Sequence, residues 1–225
     1  MVYLAFVFSA LFAYLLCSFS PAIFIGKLHK VDIRREGSCN AGTTNVLRVL
    51  GKKAALCTMV IDILKGFVSS CLGIFAANLY LSYIYPDGTS GLQSSQYVSL
   101  YAISVAIVSV AAISAVLGHV FPIYYGFKGG KGVATAFGAI LRINWMVALI
   151  CLLVVIVVTL ISKKMSLGSI CGAFACPLAF LVLDFCWMPM GCVLAIILIV
   201  KHRSNIERLL AKEEPNLSFL DKHKE

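Results

Sequence analysis

The chain has 225 residues, enough for one or two soluble domains, but its composition is that of a membrane protein. Hydrophobic residues make up 60% of it and charged residues only 13%, against about 25% charged in ordinary soluble domains. A mean hydropathy of +0.94 is compatible with a net charge of +9 because the charges lie in short segments between long apolar runs. This composition excludes a soluble enzyme, and we expect residues 1–225 to form a single integral-membrane domain.

Apolar runs predict the membrane-spanning helices. They lie at about residues 1–26, 54–80, 97–120, 143–161, 167–184 and 189–200, and a span needs about 20 residues. We interpret the first run as a retained span because no basic region precedes it. Segment 132–142 reaches only about 16 Å as a helix, half a bilayer, and the last run is long enough only if its helix continues into KHRSNIERLL. The prediction is an all-α polytopic protein with six to seven helices.

The distribution of basic residues predicts the orientation. When successive spans alternate sides, seventeen of the nineteen Lys and Arg residues fall on one side, while the loops YIYPDGTSGLQSSQY and DFCWMPMG contain none. The positive-inside rule then places the N-terminus outside and the C-terminus in the cytoplasm. This assignment requires segment 132–142 to cross the membrane; if it is re-entrant, the orientation of everything after it is reversed.

The cysteines and histidines show no pattern of a metal site or a disulfide framework. Seven of the nine cysteines lie inside apolar runs, no C-x-x-C pair occurs, and the four histidines are scattered. Buried cysteines of this kind act as small packing residues. We therefore predict neither a structural metal nor a disulfide.

The first polar loop, EGSCNAGTTNVLRVLGKK, combines hydroxyl, amide and glycine residues. Such a loop can offer backbone N–H groups and hydroxyls to an anion, with Arg48 as a forked donor to phosphate. Alternatively, Thr44 or Asn45 caps a helix that begins near Val46. The loop alone does not decide between these interpretations.

The third loop, GHVFPIYYGFKGGKGVATAFG, carries two lysines around a glycine pair, just before a helix that begins near Gly132. Glycines allow backbone to approach a ligand, and N–H groups at a helix start favour anions. The pattern predicts a phosphate site, although it does not match a nucleotide-binding Walker A loop. The alternative is a flexible basic loop that binds lipid headgroups.

The segment VKHRSNIERLLAKEE places His202 and Asn205 on one helical face. Histidine can act as a base, and asparagine can orient a hydroxyl or phosphate. Taken alone, however, a basic helix beside the membrane is more often a surface anchor.

Two charged residues, Asp62 and Lys65, lie three positions apart inside the second apolar run. An unpaired charge there costs about 2.5–3.5 kcal/mol on insertion scales. We therefore predict a buried ion pair, which either has a structural role or holds the site.

In order, GSCNAGTTNVLRVLG, GHVFPIYYGFKGGKGVAT and KHRSNIERLLAKEE resemble the three signature motifs of the bacterial acyl-phosphate:glycerol-3-phosphate acyltransferases, the PlsY family. The resemblance covers essentially the whole chain and implies about seven helices, including short ones. It implies transfer of an acyl group from acyl phosphate to the sn-1 hydroxyl of glycerol 3-phosphate, without metal, cofactor or acyl-CoA. The products would be phosphate and 1-acyl-glycerol 3-phosphate (lysophosphatidic acid), at the first step of phospholipid synthesis.

The resemblance also assigns roles to residues. We expect catalytic roles for Ser38, Arg48, Lys131, His202 and Asn205; substrate binding by Asn40, Thr44, Asn45, Lys128, Gly129, Gly130 and Gly132; and structural roles for Asp62, Lys65 and Glu214. The sequence departs from the family pattern at three places. Cys39 replaces the usual glycine, Thr43 replaces a common alanine, and Lys212 and Glu213 replace the usual Gly-Thr. Because of this departure we do not expect Cys39 to be a nucleophile.

The expected setting is the bacterial inner membrane, with the site on its cytoplasmic side. We expect a monomer that contacts membrane lipids and the enzyme that produces acyl phosphate. We expect it to bind no nucleic acid. Two other classes compete: an anion transporter, which should carry polar groups at mid-membrane on several helices, and a non-catalytic lipid-binding scaffold. Acyl-CoA-dependent acyltransferases use an H-x-x-x-x-D motif, which none of the four histidines satisfies.

Overall fold

A computed structural model describes residues 1–89 and 92–217, which form α-helices joined by short turns and contain no β-strand. The helices are α1 (Val2–Ser18), α2 (Pro21–Leu28), α3 (Thr43–Leu50), α4 (Lys52–Ile84), α5 (Ser94–Val120), α6 (Val133–Ile143), α7 (Trp145–Ser162), α8 (Met165–Leu183), α9 (Met188–Lys201) and α10 (Arg203–Leu210). The prediction of an all-α polytopic protein is confirmed.

Five helical stretches in these ranges are long and apolar enough to cross a membrane: Val2–Leu28, Lys52–Ile84, Ser94–Tyr125, Trp145–Ser162 and Met165–Leu183. A sixth span is formed if the bent pair Phe185–Lys201 and Arg203–Leu210 crosses as one unit. Helix α6 has 11 residues and is too short to span alone. The orientation of the spans stays a prediction.

The last apolar run continues into KHRSNIERLL as a second helix, α10, and not as an extension of α9. The chain bends by 60° between α9 and α10. At the bend, His202 has ψ 8°, and its carbonyl accepts the N–H groups of Asn205 and Ile206, which begins a new helix. The bend brings Asn205, which is 5% exposed, back toward the helix bundle.

Small residues allow the helices to pack closely. A Cβ atom on Gly66 of α4 would lie 2.0 Å from the carbonyl oxygen of Thr135, and one on Gly138 of α6 would lie 2.0 Å from that of Ile63. These reciprocal contacts bring the backbones of α4 and α6 together, as small residues do in membrane helix pairs. Large apolar side chains such as Ile161 and Val182 are 80% exposed, as expected for surfaces that face lipid.

Candidate active site

One cavity of about 400 Å³ is lined by all three polar segments and continues between the helices. We call its polar part the mouth, formed by Ser38, Asn40, Thr44, Asn45, Arg48, Asp62, His119, Lys131, Gly132, His202, Asn205 and Glu214. We call its apolar part the interior, formed by Phe137, Ile140, Ala148, Cys151, Leu152, Val155, Gly172, Ala173, Cys176, Leu194, Ala195 and Leu198. The cavity therefore joins a region rich in hydrogen-bonding groups to a hydrocarbon-like region.

In the first segment, Asn45 organises the loop before α3. Its amide donates to the carbonyls of Ile33 (2.8 Å) and Glu36 (2.9 Å), and its carbonyl oxygen accepts the N–H of Ser38 (2.8 Å). The alternative in which Thr44 or Asn45 caps a helix near Val46 is wrong, because α3 begins at Thr43 after Gly42 and no side chain caps it. The bond to Asn45 instead holds Ser38 at the mouth.

In the second segment, only Lys131 and Gly132 of the five predicted ligands reach the cavity; Lys128, Gly129 and Gly130 lie outside its lining. The N–H groups of Gly129 and Gly130 donate to the carbonyls of Val120 (3.3 Å) and His119 (3.2 Å). These glycines therefore allow the loop to approach the end of α5. The predicted phosphate contact of these two glycines stays a prediction.

Lys131 connects the second segment to the third. Its ammonium group donates to the side-chain oxygen of Asn205, whose amide donates to Glu214 Oε1 at 2.6 Å. Arg208 Nε donates to the other carboxylate oxygen of Glu214 at 2.8 Å. These bonds fix the Asn205 amide with its oxygen toward Lys131.

Burial determines the electrostatics of this chain of bonds. It lowers the pKa of Lys131 to about 8, because the ammonium group is removed from water; Glu214 opposes this effect, while Arg208, Arg48 and Lys201 add to it. Burial alone would raise the pKa of Glu214, but hydrogen bonds to its carboxylate, including those from Asn205 and Arg208, lower it overall. The mouth therefore carries a cation that can lose its proton near neutral pH.

His202 is held in one tautomer at the bend between α9 and α10. It is 2% exposed, and Nδ1 lies 2.7 Å from the carbonyl oxygen of Leu198. Because a carbonyl can only accept, Nδ1 carries the proton. In the neutral ring Nε2 therefore keeps its lone pair, the state that a general base needs.

The predicted Asp62–Lys65 ion pair is confirmed, with Lys65 Nζ 2.8 Å from Asp62 Oδ1 and both side chains buried. His119 was not predicted to take part in the site, yet its Nδ1 lies 3.3 Å from the same oxygen. Its signal was an ionisable side chain inside an apolar run, which in a membrane protein is by itself an indication of function.

The chain after α10 returns across the turn between α7 and α8. The Leu217 N–H donates to the Lys163 carbonyl at 2.9 Å, and Lys164 Nζ donates to the Glu214 carbonyl at 2.6 Å. Pro215 lines the cavity beside Glu214. This return was not predicted, because nothing in the local sequence specifies its partner.

Two departures from the family pattern occur at unusual backbone conformations. Cys39 has φ 56° and Lys212 has φ 60°, both in the left-handed region that favours glycine. These are the two positions at which the resemblance places glycine. The side chains of both residues are exposed.

Comparisons with known proteins agree with this geometry. A family profile described as glycerol-3-phosphate acyltransferase matches residues 7–212. Glycerol-3-phosphate acyltransferases of Staphylococcus aureus strains JH9 and Newman are 36% identical over 93% of this chain and 96% of theirs. The crystal structure of PlsY (YgiH), an integral membrane glycerol 3-phosphate acyltransferase in its glycerol 3-phosphate form, superposes with a TM-score of 0.80 at 32% identity, covering 96% of this chain and 99% of that one. Its lysophosphatidic acid form gives 0.77, also at 32% identity, covering 94% of each chain.

Proposed function

Because the chain belongs to the glycerol-3-phosphate acyltransferase family, we propose that it transfers a fatty acyl group from acyl phosphate to the sn-1 hydroxyl of glycerol 3-phosphate. The products are 1-acyl-glycerol 3-phosphate and inorganic phosphate. The family membership favours an acyltransferase over the transporter and the lipid-binding scaffold. The observation that carries the proposal is the cavity that joins the hydrogen-bonding groups of the mouth, suited to a phosphate group, to the apolar interior, suited to an acyl chain.

The dimensions of the interior support an acyl chain as its occupant. Along α8, cavity-lining residues extend from Met165 to Cys176, about 16 Å of helix. This distance is roughly half the hydrocarbon thickness of about 30 Å. An acyl chain bound there would lie between the membrane surface and the midplane, in surroundings similar to those it has in lipid.

The mouth offers phosphate ligands of two kinds. Arg48 can donate a forked pair of hydrogen bonds and Lys131 can contribute an ammonium charge. Val133 and Ala134 line the cavity at the first turn of α6, where backbone N–H groups have no intrahelical partner. Asn40 and Thr44 add polar contacts, while Lys128, Gly129 and Gly130 form the loop that carries Lys131.

The reaction needs alignment and charge neutralisation more than strong activation, because phosphate is a good leaving group. The sn-1 oxygen attacks the acyl carbonyl carbon, the bond from that carbon to the phosphate oxygen breaks, and phosphate departs. The hydroxyl proton goes either to His202 Nε2 or to the phosphate group of glycerol 3-phosphate, in which case His202 only positions the acceptor. Ser38 and Asn205 align the hydroxyl, and Glu214 keeps Asn205 in place.

The proposed location is the inner membrane of a bacterium, with the mouth at its cytoplasmic face. The basic segments that line or flank the mouth support this side, because Lys and Arg collect in cytoplasmic loops. We propose a monomer that takes acyl phosphate from the enzyme that produces it.

The test uses purified protein in detergent, glycerol 3-phosphate, and either acyl phosphate or acyl-CoA, each with excess chelator. Mass spectrometry of the product is expected to show 1-acyl-glycerol 3-phosphate from acyl phosphate alone. The His202→Ala variant, purified in the same way, controls for a contaminating enzyme. Activity restricted to acyl-CoA would contradict acyl phosphate as the donor. Acylation at the sn-2 position would contradict the sn-1 hydroxyl as the acceptor.

A further inference from the structure

A charged cluster adjoins the mouth, which two of its residues line, and it has no role in the chemistry described above. It consists of Asp62 and Lys65 of α4, His119 at the end of α5, and Thr135 in the first turn of α6. All four are at most 5% exposed. The cluster therefore joins three helices inside the protein.

On one side of the cluster, the imidazole of His119 is oriented by a fixed carboxylate. Its Nδ1 lies 3.3 Å from Asp62 Oδ1 and 3.1 Å from Thr135 Oγ1. Asp62 is paired with Lys65, which also donates to the carbonyl of Phe19 at 2.9 Å. The Thr135 hydroxyl is the hydrogen-bond partner of Nδ1, and the Asp62 carboxylate lies directly beside the same nitrogen, so the ring is held in one orientation between them.

On the other side, His119 supports the turn that carries Lys131. Its carbonyl accepts the N–H of Gly130 at 3.2 Å. A Cβ atom on Gly130 would lie 2.3 Å from His119 Nε2 and 2.7 Å from the Ala41 carbonyl oxygen, so Gly130 is held between the ring and the first loop. With Thr135 on the far side, His119 contacts the chain both before and after Lys131.

Stability alone does not explain these charges. Buried ion pairs in proteins are often no more stabilising than apolar residues of the same shape, and charged residues inside membrane segments are costly. A pair three residues apart on α4 could also form without a histidine. The arrangement instead defines one orientation for the ring on which the Gly130 turn rests.

We propose that His119, held between Thr135 and Asp62, is a positioning residue that fixes the turn at Gly130 and so directs the Lys131 ammonium group toward the phosphate of glycerol 3-phosphate. This inference rests on the proposed role of Lys131 as a phosphate ligand. His119 acts through Lys131, so its loss affects the binding of glycerol 3-phosphate more than the turnover of bound substrate.

The experiment measures glycerol 3-phosphate binding by calorimetry, and KM and kcat by product formation, on the purified full chain in detergent. His119→Ala is expected to weaken binding and raise KM by about tenfold, with kcat changed by less than about threefold. His119→Asn keeps a donor near the Nδ1 position and is expected to stay within about threefold of wild type. The matched control is Ser70→Ala, which removes a buried bond from α4 to the Ala139 carbonyl of α6 outside the cavity lining.

The outcomes separate this inference from the proposed function. The inference is overturned if folded His119→Ala binds glycerol 3-phosphate as tightly as wild type. It is also overturned if His119→Ala and Ser70→Ala weaken that binding equally. Lys131→Ala is measured in parallel: if it binds glycerol 3-phosphate normally, the phosphate role of Lys131 fails instead. If His119→Ala does not fold, Thr135→Val removes the hydroxyl beside Nδ1 and is expected to raise KM by about threefold; an unchanged KM then overturns the inference.

Discussion

The mouth and the interior of the cavity are built in different ways. Apart from Asp62, the mouth takes its side chains from three short segments and fixes them by hydrogen bonds, such as those that join Lys131, Asn205 and Glu214. The interior is lined by residues of α6, α7, α8 and α9, many of them small, and its shape is the space that these side chains leave between the helices. The comparison teaches that recognition of phosphate can be specified locally along the chain, whereas space for a lipid chain depends on how distant helices pack.

The largest effect is expected at the mouth. His202→Ala removes the ring whose Nε2 is available as a base, so kcat should fall by about 10²-fold or more if it takes the proton. His29→Ala is the matched control, because His29 makes the same bond to the carbonyl four residues earlier, at 2.9 Å from Ile25, but lies outside the cavity lining. Steady-state kinetics of both folded variants checks this. A near wild-type kcat in His202→Ala would leave the residue only a structural role.

Filling the interior should change chain-length preference and leave the mouth intact. Ala173→Phe places a ring in the interior, and excluding two methylene groups at about 0.8 kcal/mol each should raise KM for the longest acyl phosphates about fifteenfold. KM for glycerol 3-phosphate should not change. Leu178→Phe, on the same helix but 63% exposed, is the control. A uniform loss with short and long donors would mean that Ala173→Phe disturbs packing rather than chain binding.

The difference between the two regions also explains which features of the fold and the site could be predicted from the sequence. Apolar runs predicted the all-α architecture, and the Gly132 start of α6 was right within one residue. An ion pair between Asp62 and Lys65 could be predicted because no other close partner lies on the same helical face. The three polar segments could be linked because a shared phosphate chemistry is visible in local composition.

What could not be predicted depends on contacts between distant parts of the chain. The bend at His202 accompanies the bond between Asn205 and Lys131, 74 positions earlier in the chain, which the local sequence does not reveal. The contact of Gly129 and Gly130 with the end of α5 could not be predicted, because a glycine does not show by itself whether backbone or ligand approaches it. The interior had no local signal at all, because Ala148 or Cys151 looks the same in a helix that faces lipid.

The pH dependence should distinguish the mouth from the interior. With a pKa of about 8, Lys131 is charged below this pH and loses its charge above it. KM for glycerol 3-phosphate should therefore rise about tenfold between pH 7 and pH 9, as the charged fraction falls. Lys131→Arg should remove this rise because arginine stays charged. If KM for glycerol 3-phosphate rises equally with pH in Lys131→Arg, the group that titrates is not Lys131.

The smallest effects are expected at two of the strained positions in the segments around the mouth. Cys39 and Lys212 both have positive φ values, at 56° and 60°. A left-handed conformation costs a residue with a side chain about 1–2 kcal/mol, whereas glycine adopts it freely. Glycine also gives the unfolded chain more freedom, which offsets roughly 0.5–1 kcal/mol of that gain.

Cys39→Gly and Lys212→Gly should therefore each raise stability by about 0.5–1 kcal/mol, seen as a higher midpoint of thermal unfolding in detergent. Neither residue lines the cavity, so kcat and both KM values should stay within about twofold of wild type. Cys39→Ala is the matched control, because it removes the thiol but keeps the Cβ atom that causes the strain. If Cys39→Ala stabilised the protein as much as Cys39→Gly, the gain would come from loss of the thiol. A lower midpoint in both glycine variants would mean that these side chains make contacts worth more than the strain they impose.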